Sequence, residues 1–230
     1  MLHWKPYIST HTRILKIIIL AILVGVVVSL FSEYMMWNEN RIGVYFEDPI
    51  LNLFMPVNMS RTTSLLTLMP IFLALAFILR SPTTTVYFFI ASIFICIFRS
   101  ITLYFVVLEA PIHIIPLTDP IIENMFYGGQ VLLKDLFFSG HTANLILVGL
   151  LVHDMWMKRL LLTSGVIVGG LLLLQHVHYS IDVLAAPFFS VITYKISIYL
   201  GNTLFLNEFK KFQRSGEVLK ELGFRNKMLT

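Results

Sequence analysis

The chain has 230 residues, of which 57% are hydrophobic and only 13% are charged. A soluble globular domain has about 45–50% apolar and about 25% charged residues, so this composition excludes an ordinary soluble domain and predicts an integral membrane protein. The formal net charge of +4 does not indicate a nucleic-acid partner, because no basic patch is interleaved with aromatic residues as a nucleic-acid groove requires. The single cysteine, Cys96, lies in an apolar stretch, so neither an internal disulfide nor a cysteine-based metal site is expected.

The first apolar stretch covers residues 14–31 and is long enough to cross a bilayer at about 1.5 Å per residue. A basic segment precedes it, as in a secretory signal peptide, but the apolar core is longer than usual and no small-x-small cleavage site precedes Glu33. The sequence therefore favours an uncleaved first span. A polar and mostly acidic loop follows at 32–62, in which Pro49 and Pro56 break regular structure.

Two further spans are predicted at 64–79 and 83–108, joined by the tight connection Arg80-Ser-Pro. The residue before a proline resists helix, and proline favours a helix start, which explains the break between these spans. Arg99 is unusual because it lies inside the second of them. A guanidinium there either extends to the lipid head groups or lies in a polar cavity, and the sequence leaves both alternatives open.

The long connection at 109–138 is predicted to be functional, as connections of this length usually are. Three more spans are predicted at 139–156, 160–175 and 178–200, with Lys158 and Arg159 in the turn between the first two. The sequence thus predicts an all-α integral membrane protein with six transmembrane helices. Its predicted regions are N-terminal spans and loops (1–125), a catalytic domain (126–204) and a soluble basic tail (205–230) whose leucine spacing favours a short amphipathic helix.

Two short polar runs interrupt the apolar stretches: Asp135-Leu-Phe-Phe-Ser-Gly-His141-Thr and His176-Val-His178-Tyr-Ser-Ile-Asp182-Val. Ionisable groups at the edge of a span are costly unless they pair or face water, so such clusters indicate a site. A single histidine at a membrane interface is more often structural, but two histidines and a carboxylate together suit phosphoryl transfer. His178 and Asp182 are four residues apart, a spacing that places both on one face of a helix.

The basic residues predict the orientation of the chain. By the positive-inside rule both termini are cytoplasmic, and both histidine motifs fall on the opposite, non-cytoplasmic face. The residues that place the cytoplasmic side are Lys5, Arg13, Lys16, Arg80, Lys158, Arg159 and the basic residues of the tail. The charge pattern places both motifs on one face without reference to the motifs themselves. The predicted orientation therefore supports a shared site.

The run Ser139-Gly-His141-Thr, with an acid four residues ahead of it, and the run from His178 to Asp182 resemble the two catalytic motifs of the sphingomyelin synthase family, within the type-2 phosphatidic acid phosphatase superfamily. The run Arg99-Ser-Ile-Thr-Leu-Tyr resembles that family's motif in the third span, so the resemblance covers about 95–200. It implies six spans with cytoplasmic ends. It also implies that His178 is the nucleophile, Asp182 its orienting partner and His141 the general acid and base, with no metal and no cofactor.

The lipid phosphatases of the wider superfamily carry a basic phosphate clamp that is missing here. They have a proline before the Ser-Gly-His run and a Ser-Arg pair ahead of the nucleophilic histidine, whereas this chain has Phe138 before Ser139 and Leu171 and Leu172 at the Ser-Arg positions. A phosphomonoester carries nearly two negative charges and is bound more strongly when Arg and Lys donate to it, whereas a phosphodiester carries one negative charge. The sequence therefore favours a phosphodiester donor.

The predicted function is a head-group transferase that moves phosphocholine or phosphoethanolamine from a glycerophospholipid to ceramide or a similar lipid alcohol through a phosphohistidine intermediate. The alternatives are a lipid phosphatase or phospholipase C-like hydrolase, and a non-catalytic lipid-binding or scramblase-like protein. Arg99, Asp135 and Tyr179 are the candidate contacts to phosphate, amine and leaving oxygen, and Ser139 is a further predicted substrate-binding residue. The expected partners are the two lipids and the bilayer, and homo-oligomerisation stays open.

Overall fold

The computed structural model describes residues 4–7 and 11–207, which fold into helices joined by loops. The helices are α1 Trp4–Tyr7, α2 His11–Glu39, α3 Ser60–Ile78, α4 Pro82–Phe105, α5 Pro120–Phe126, α6 Gly140–Leu151, α7 Met155–Leu174 and α8 Ser180–Leu200. A 3-10 turn at Leu51–Leu53 lies in the first loop, and a π-helical turn at Gly201–Leu206 continues α8. The described residues contain no β-strand, and Val44 and Leu108 form an isolated parallel bridge between two loops.

Five helices are long and apolar enough to cross a membrane, namely α2, α3, α4, α7 and α8, the last counted together with its π-helical turn. α6 is apolar but has 12 residues, which at 1.5 Å per residue gives about 18 Å against a hydrocarbon core of about 30 Å. The all-helical fold with several membrane-length helices agrees with the predicted all-α, multi-pass membrane protein. Six spans and cytoplasmic termini stay predictions.

The boundary between α6 and α7 differs from the predicted one. α6 ends at Leu151, five residues before the predicted end at Trp156, and α7 begins at Met155. The reason is Asp154, whose carboxylate accepts a hydrogen bond from the Met157 amide at 2.8 Å and so caps a new helix. Arg159, predicted to lie in the turn, is therefore a residue of α7, as is its neighbour Lys158.

α6 lies at the centre of the bundle, where it packs against both α7 and α8. α4 packs against α2 and α8, and α3 packs against α7. A buried apolar cluster that includes Ala91, Ile95, Ala143, Leu147 and Ala186 joins α4, α6 and α8. The outer face of α2 instead exposes apolar side chains that suit contact with lipid, among them Leu15, Ile18, Ile22, Val26 and Leu30.

The C-terminal ends of α2, α4 and α7 and the N-terminal ends of α3, α6 and α8 meet at one end of the bundle, which we call the site end. Its loops are hydrogen-bonded to one another and to the helices, for example from the Val57 amide to the Leu174 carbonyl at 2.8 Å. At Gly43 the first loop, which joins α2 to α3, passes close to the third loop, which joins α4 to α6 and contains α5. A Cβ at Gly43 would lie 2.6 Å from the Leu108 carbonyl carbon. The loops at the site end therefore form one packed layer over the helix ends.

The last helix runs further than the sequence predicts. Its π-helical turn carries the chain to Leu206, beyond the predicted end at 200, and Gly201 packs against the Tyr87 ring at the start of α4. The amphipathic helix predicted in the tail falls almost entirely on 208–230, outside the described residues.

Candidate active site

The start of α8 holds His178 and Asp182 together. Nδ1 of His178 lies 3.2 Å from Oδ2 of Asp182, and the same oxygen accepts a hydrogen bond from the Tyr179 amide at 3.1 Å. Tyr179 is the N-cap residue, so His178 precedes the helix and Asp182 reaches back to it from the first turn. Because an ionised carboxylate only accepts hydrogen bonds, this contact assigns the proton to Nδ1 and leaves the Nε2 lone pair of His178 for chemistry.

The start of α6 brings the second motif against the first. The Ser139 side chain caps α6 by accepting a hydrogen bond from the Thr142 amide at 3.3 Å, and the Ser139 amide donates to the Asp182 carbonyl oxygen at 3.1 Å. His141 follows in the first turn of α6, and its Nε2 is buried without a hydrogen-bond partner among the described residues. The backbone thus joins the two motifs directly, which fixes one histidine relative to the other.

Arg99 lies in a cavity wall and does not extend toward lipid head groups. Its guanidinium forms an ion pair with the Asp135 carboxylate and lies over the Phe31 ring, with Cζ 5.2 Å from the ring centroid. Gly140 packs directly against this guanidinium, since a Cβ at that position would lie 2.7 Å from Arg99 Cζ. The pairing offsets the cost of burying the charge and directs Arg99 toward the N-terminus of α6.

A cavity of about 400 Å³ opens at the site end between α2, α3, α4, α6 and the connection that contains α5. Such a volume is typical of a small-molecule site and is large enough for a lipid head group and the start of its chains. Most of its wall is apolar, for example Val28, Ile71 and Phe88. The acidic and basic residues in the wall are Arg99, Asp119, Glu123, Asp135, His141 and His178.

Of the predicted site residues, Arg99, Asp135, His141 and His178 therefore line one cavity, and Asp182 bonds to the histidine in its wall. The other two predicted substrate contacts, Ser139 and Tyr179, are buried and are not part of the cavity wall.

The structure places Tyr179 and Ser139 in positioning roles. The Tyr179 hydroxyl donates to the Glu109 carbonyl oxygen at 2.9 Å, and its ring packs edge-on against Phe46 with centroids 5.5 Å apart. The Tyr179 hydroxyl is thus bonded to the loop between α4 and α6, and its contact with the leaving oxygen stays a prediction. Ser139 is committed in the same way to capping α6.

Asp48 is a residue of the site that the spacing of the histidine motifs does not reveal. Its Oδ2 accepts from the Ser180 amide at 2.5 Å and its Oδ1 accepts from the Ile50 amide at 2.9 Å, so it bonds the first loop to the N-terminus of α8. Burial acts to raise the pKa of the Asp48 carboxyl, but the hydrogen bonds from Ser180, Ile50 and Leu51 hold it below the ordinary value. The sequence feature that could have indicated this role of Asp48 is the Glu47-Asp-Pro run in the first loop.

Gln175 is a second residue that sequence reasoning missed as a contributor. Its side-chain nitrogen donates to the Ser60 hydroxyl at 2.8 Å and to the Ile115 and Pro116 carbonyls at 3.0 and 3.1 Å, and its oxygen accepts from the Met59 amide at 3.0 Å. The buried amide thereby ties the end of α7 to the start of α3 and to the third loop. In the sequence this role is indicated only by the presence of an uncharged polar residue at the end of an apolar span.

The segment that carries Asp135 is held by the end of α2. The Glu39 carboxylate accepts from the Leu133 and Lys134 amides at distances of 2.9 to 3.1 Å. The Lys134 ammonium in turn pairs with Glu109 at 2.9 Å and bonds to the Arg41 carbonyl at 2.7 Å. These contacts fix the backbone just before Asp135 and so keep its carboxylate beside Arg99.

His176 lies outside the cavity wall. Its backbone has a φ of +56°, in the left-handed region that few residues other than glycine adopt, and its ring packs edge-on against Phe54 with centroids 5.5 Å apart. Burial lowers the pKa of the His176 imidazole. The strained turn places His178 two residues later at the start of α8.

The fold and the site together define a multi-helical membrane protein with two histidines and an aspartate at a cavity large enough for a lipid head group. Residues 134–199 match the family described as PAP2 superfamily C-terminal, a segment that contains His141, His178 and Asp182 but not Arg99. This match supports the type-2 phosphatidic acid phosphatase-related superfamily and suggests a phosphatase- or phosphotransferase-type lipid enzyme. It does not single out the sphingomyelin synthase family. No curated protein and no solved structure shows a significant match to the chain.

Proposed function

We propose that this protein transfers the phospho-alcohol head group of a glycerophospholipid to a lipid alcohol such as ceramide. The observation that carries the proposal is the His178 ring, whose Nδ1 is bonded to Asp182 while the residue lines the same cavity as His141 and Arg99. A held imidazole with one free nitrogen is what nucleophilic attack on phosphorus requires. Neighbouring Arg99 supplies positive charge for the phosphate.

In the first half-reaction Nε2 of His178 attacks the phosphorus atom of the donor. A P–N bond forms, and the bond between phosphorus and the diacylglycerol oxygen breaks with its electron pair going to that oxygen. Protonated His141 gives its proton to the leaving oxygen, so diacylglycerol departs as a neutral alcohol. Asp182 stabilises the positive charge that develops on the His178 ring through its bond to Nδ1.

In the second half-reaction the acceptor hydroxyl gives its proton to His141, which is now neutral. The acceptor oxygen then attacks phosphorus, the P–N bond breaks, and its electron pair returns to Nε2 of His178. The head group leaves on the new lipid, and both histidines are restored to their starting states. The largely apolar cavity wall favours a lipid acceptor over water at this step.

The charges in the cavity wall support a donor with a single negative charge. Arg99 is already paired with Asp135, and the wall also contains the carboxylates of Asp119 and Glu123. A phosphate dianion would therefore meet more negative than positive charge among the described residues of the wall. Leu172, where the superfamily's phosphatases carry a phosphate-binding residue, is fully buried in an apolar cluster.

The second candidate function is hydrolysis, with water as the acceptor of the same intermediate. The PAP2 match favours it, because the superfamily includes phosphatases. The two functions share the first half-reaction and the same three residues. They differ only in which hydroxyl reaches the phosphorus of the intermediate.

The proposed location is a multi-pass membrane protein with the site end away from the cytoplasm. The positive-inside rule supports this orientation, because the opposite end of the bundle carries the basic residues Arg80, Lys158 and Arg159. The loops at the site end instead carry many of the acidic residues, including Glu47, Asp48, Glu109, Asp119, Glu123 and Asp135.

The proposal is tested by following labelled phosphate from phosphatidic acid, phosphatidylcholine and phosphatidylethanolamine in matched micelles, with and without ceramide. We expect the two diester lipids to react faster than phosphatidic acid and the label to move into a new phospholipid when ceramide is present. If phosphatidic acid reacts fastest and ceramide changes nothing, hydrolysis is the function. If His178→Ala reacts at the wild-type rate, neither function uses this site.

A further inference from the structure

The cavity contains two carboxylates that the proposed reaction does not use, Asp119 and Glu123. Both residues lie at the start of α5 and line the same cavity as His141 and His178. Asp119 is only 4% exposed, and its Oδ2 atom is buried without a hydrogen-bond partner among the described residues. A buried carboxylate oxygen without a partner is costly, which indicates that a ligand supplies one.

The local structure fixes the two carboxylates next to each other. Oδ1 of Asp119 caps α5 by accepting from the Ile122 amide at 3.3 Å, and the Asp119 amide donates to Oε1 of Glu123 at 2.6 Å. The Glu123 carboxylate is therefore held next to Asp119 by a hydrogen bond from the Asp119 backbone. The second oxygen of Asp119 has no donor among the described residues, and the residue itself lines the cavity.

The ion pairs of the site leave this negative charge without a cation. Among the described residues Asp135 pairs with Arg99 and Glu109 with Lys134, and the Asp182 carboxylate accepts a hydrogen bond from His178. Neither Asp119 nor Glu123 has a basic side chain within ion-pair distance in this part of the chain. The sequence predicted that Asp135 contacts the amine of the donor. Asp135 is already neutralised by Arg99, so an ammonium group is better matched by the carboxylates of α5.

We infer that Asp119 and Glu123 form a subsite for the ammonium group of a zwitterionic phospholipid, and that this subsite selects donors with a cationic head group. The inference rests on the proposed function, because it assumes a phosphodiester lipid in the cavity. Phe126 and Tyr127 also line the cavity beside the two carboxylates. Aromatic faces near a cation add to its binding and suit a methylated ammonium as well as a primary one.

The test measures binding, so that it does not depend on turnover. Short-chain phosphatidylethanolamine and phosphatidylglycerol, which share the phosphodiester but differ in the ammonium, are titrated into the full-length His178→Ala protein in detergent. The same titrations are repeated with Asp119→Asn and with Glu123→Gln added. Asparagine is as good a helix cap as aspartate, so Asp119→Asn preserves α5. Glu33→Gln, which removes an exposed carboxylate outside the cavity wall, is the matched control.

We expect phosphatidylethanolamine to bind more tightly than phosphatidylglycerol. Asp119→Asn should raise the Kd for phosphatidylethanolamine by about tenfold or more and leave the Kd for phosphatidylglycerol nearly unchanged. Glu123→Gln should act in the same direction, and Glu33→Gln should change neither Kd. The inference is overturned if Asp119→Asn weakens the binding of both lipids equally, or if the His178→Ala protein shows no preference for phosphatidylethanolamine. Failure of the proposed function has a different signature: a wild-type protein that binds phosphatidylethanolamine with this preference but forms no product from it.

Discussion

The contact between Arg99 and Gly140 shows how a residue without a side chain shapes the cavity wall. The guanidinium of Arg99 occupies the space that a Cβ at Gly140 would need, with Arg99 Cζ 2.7 Å from that position. The Asp135 carboxylate holds the guanidinium from the other side. The Ser-Gly-His run thus needs its glycine for the close approach of an arginine from α4, and not for an unusual backbone angle.

Gly140→Ala should therefore lower turnover by about tenfold or more, because it displaces the Arg99 guanidinium from its bond with Asp135. Initial rates on a diester lipid and thermal melting in detergent measure the effect. Gly170→Ala is the matched control, since a Cβ at Gly170 in α7 meets nothing within 4 Å. Equal rates for the two variants would contradict the role assigned to the contact between Arg99 and Gly140.

The spacing of His178 and Asp182 predicted that the two side chains meet, and the structure joins them at 3.2 Å. The reason differs from the predicted one, because His178 precedes the helix and Asp182 reaches it from the first turn. Tyr179 could not be assigned from spacing. Its hydroxyl bonds to a carbonyl 70 residues earlier in the chain, a contact that only the folded loops create.

At the scale of elements, the site depends on loops that hold helix ends. Asp48 bonds the first loop to the Ser180 amide at the start of α8, 132 residues further along the chain. The positive end of a helix favours a carboxylate at this position, so the contact stabilises α8 and the turn that carries His178.

The stability that Asp48 contributes should depend on pH in a defined direction. The folded pKa of this carboxyl lies below the ordinary value of 3.8, so its contribution is fully present above that value and is lost as the pH falls through the folded pKa. The difference in melting temperature between wild type and Asp48→Asn should be largest near neutral pH and shrink below pH 3.8. A difference that stays constant down to pH 3, or one no larger than that of the exposed control Glu33→Gln, would contradict this role.

The sequence predicted most helices because their apolar runs and proline boundaries are local features. α4 begins at Pro82 as the Arg80-Ser-Pro connection predicts. The end of α6 was misplaced because a cap by Asp154 competes with a continuous apolar pattern. Gln175 was missed for another reason, since its hydrogen bonds reach residues 59 to 116 positions away and leave no periodic trace.

At the scale of the whole molecule, the histidine motifs lie at one end of a bundle whose outer surface along α2 exposes apolar side chains. The histidine motifs lie at the starts of α6 and α8, α4 adds Arg99, and α2 and α3 contribute apolar residues to the cavity wall. A lipid donor can thus keep its chains in apolar surroundings while its phosphate reaches His178. This arrangement supports the proposed reaction between two lipids.

The most direct test of this account is whether the head group becomes covalently attached to His178. The purified protein is mixed with a donor labelled in its head-group phosphate, quenched in alkali because acid cleaves a P–N bond, and mapped by peptide mass spectrometry. We predict a phospho-head adduct on His178 that disappears when ceramide is added and is absent from the His178→Ala protein. Product formation without any adduct, or an adduct that persists in His178→Ala, would contradict the assignment of His178 as the nucleophile.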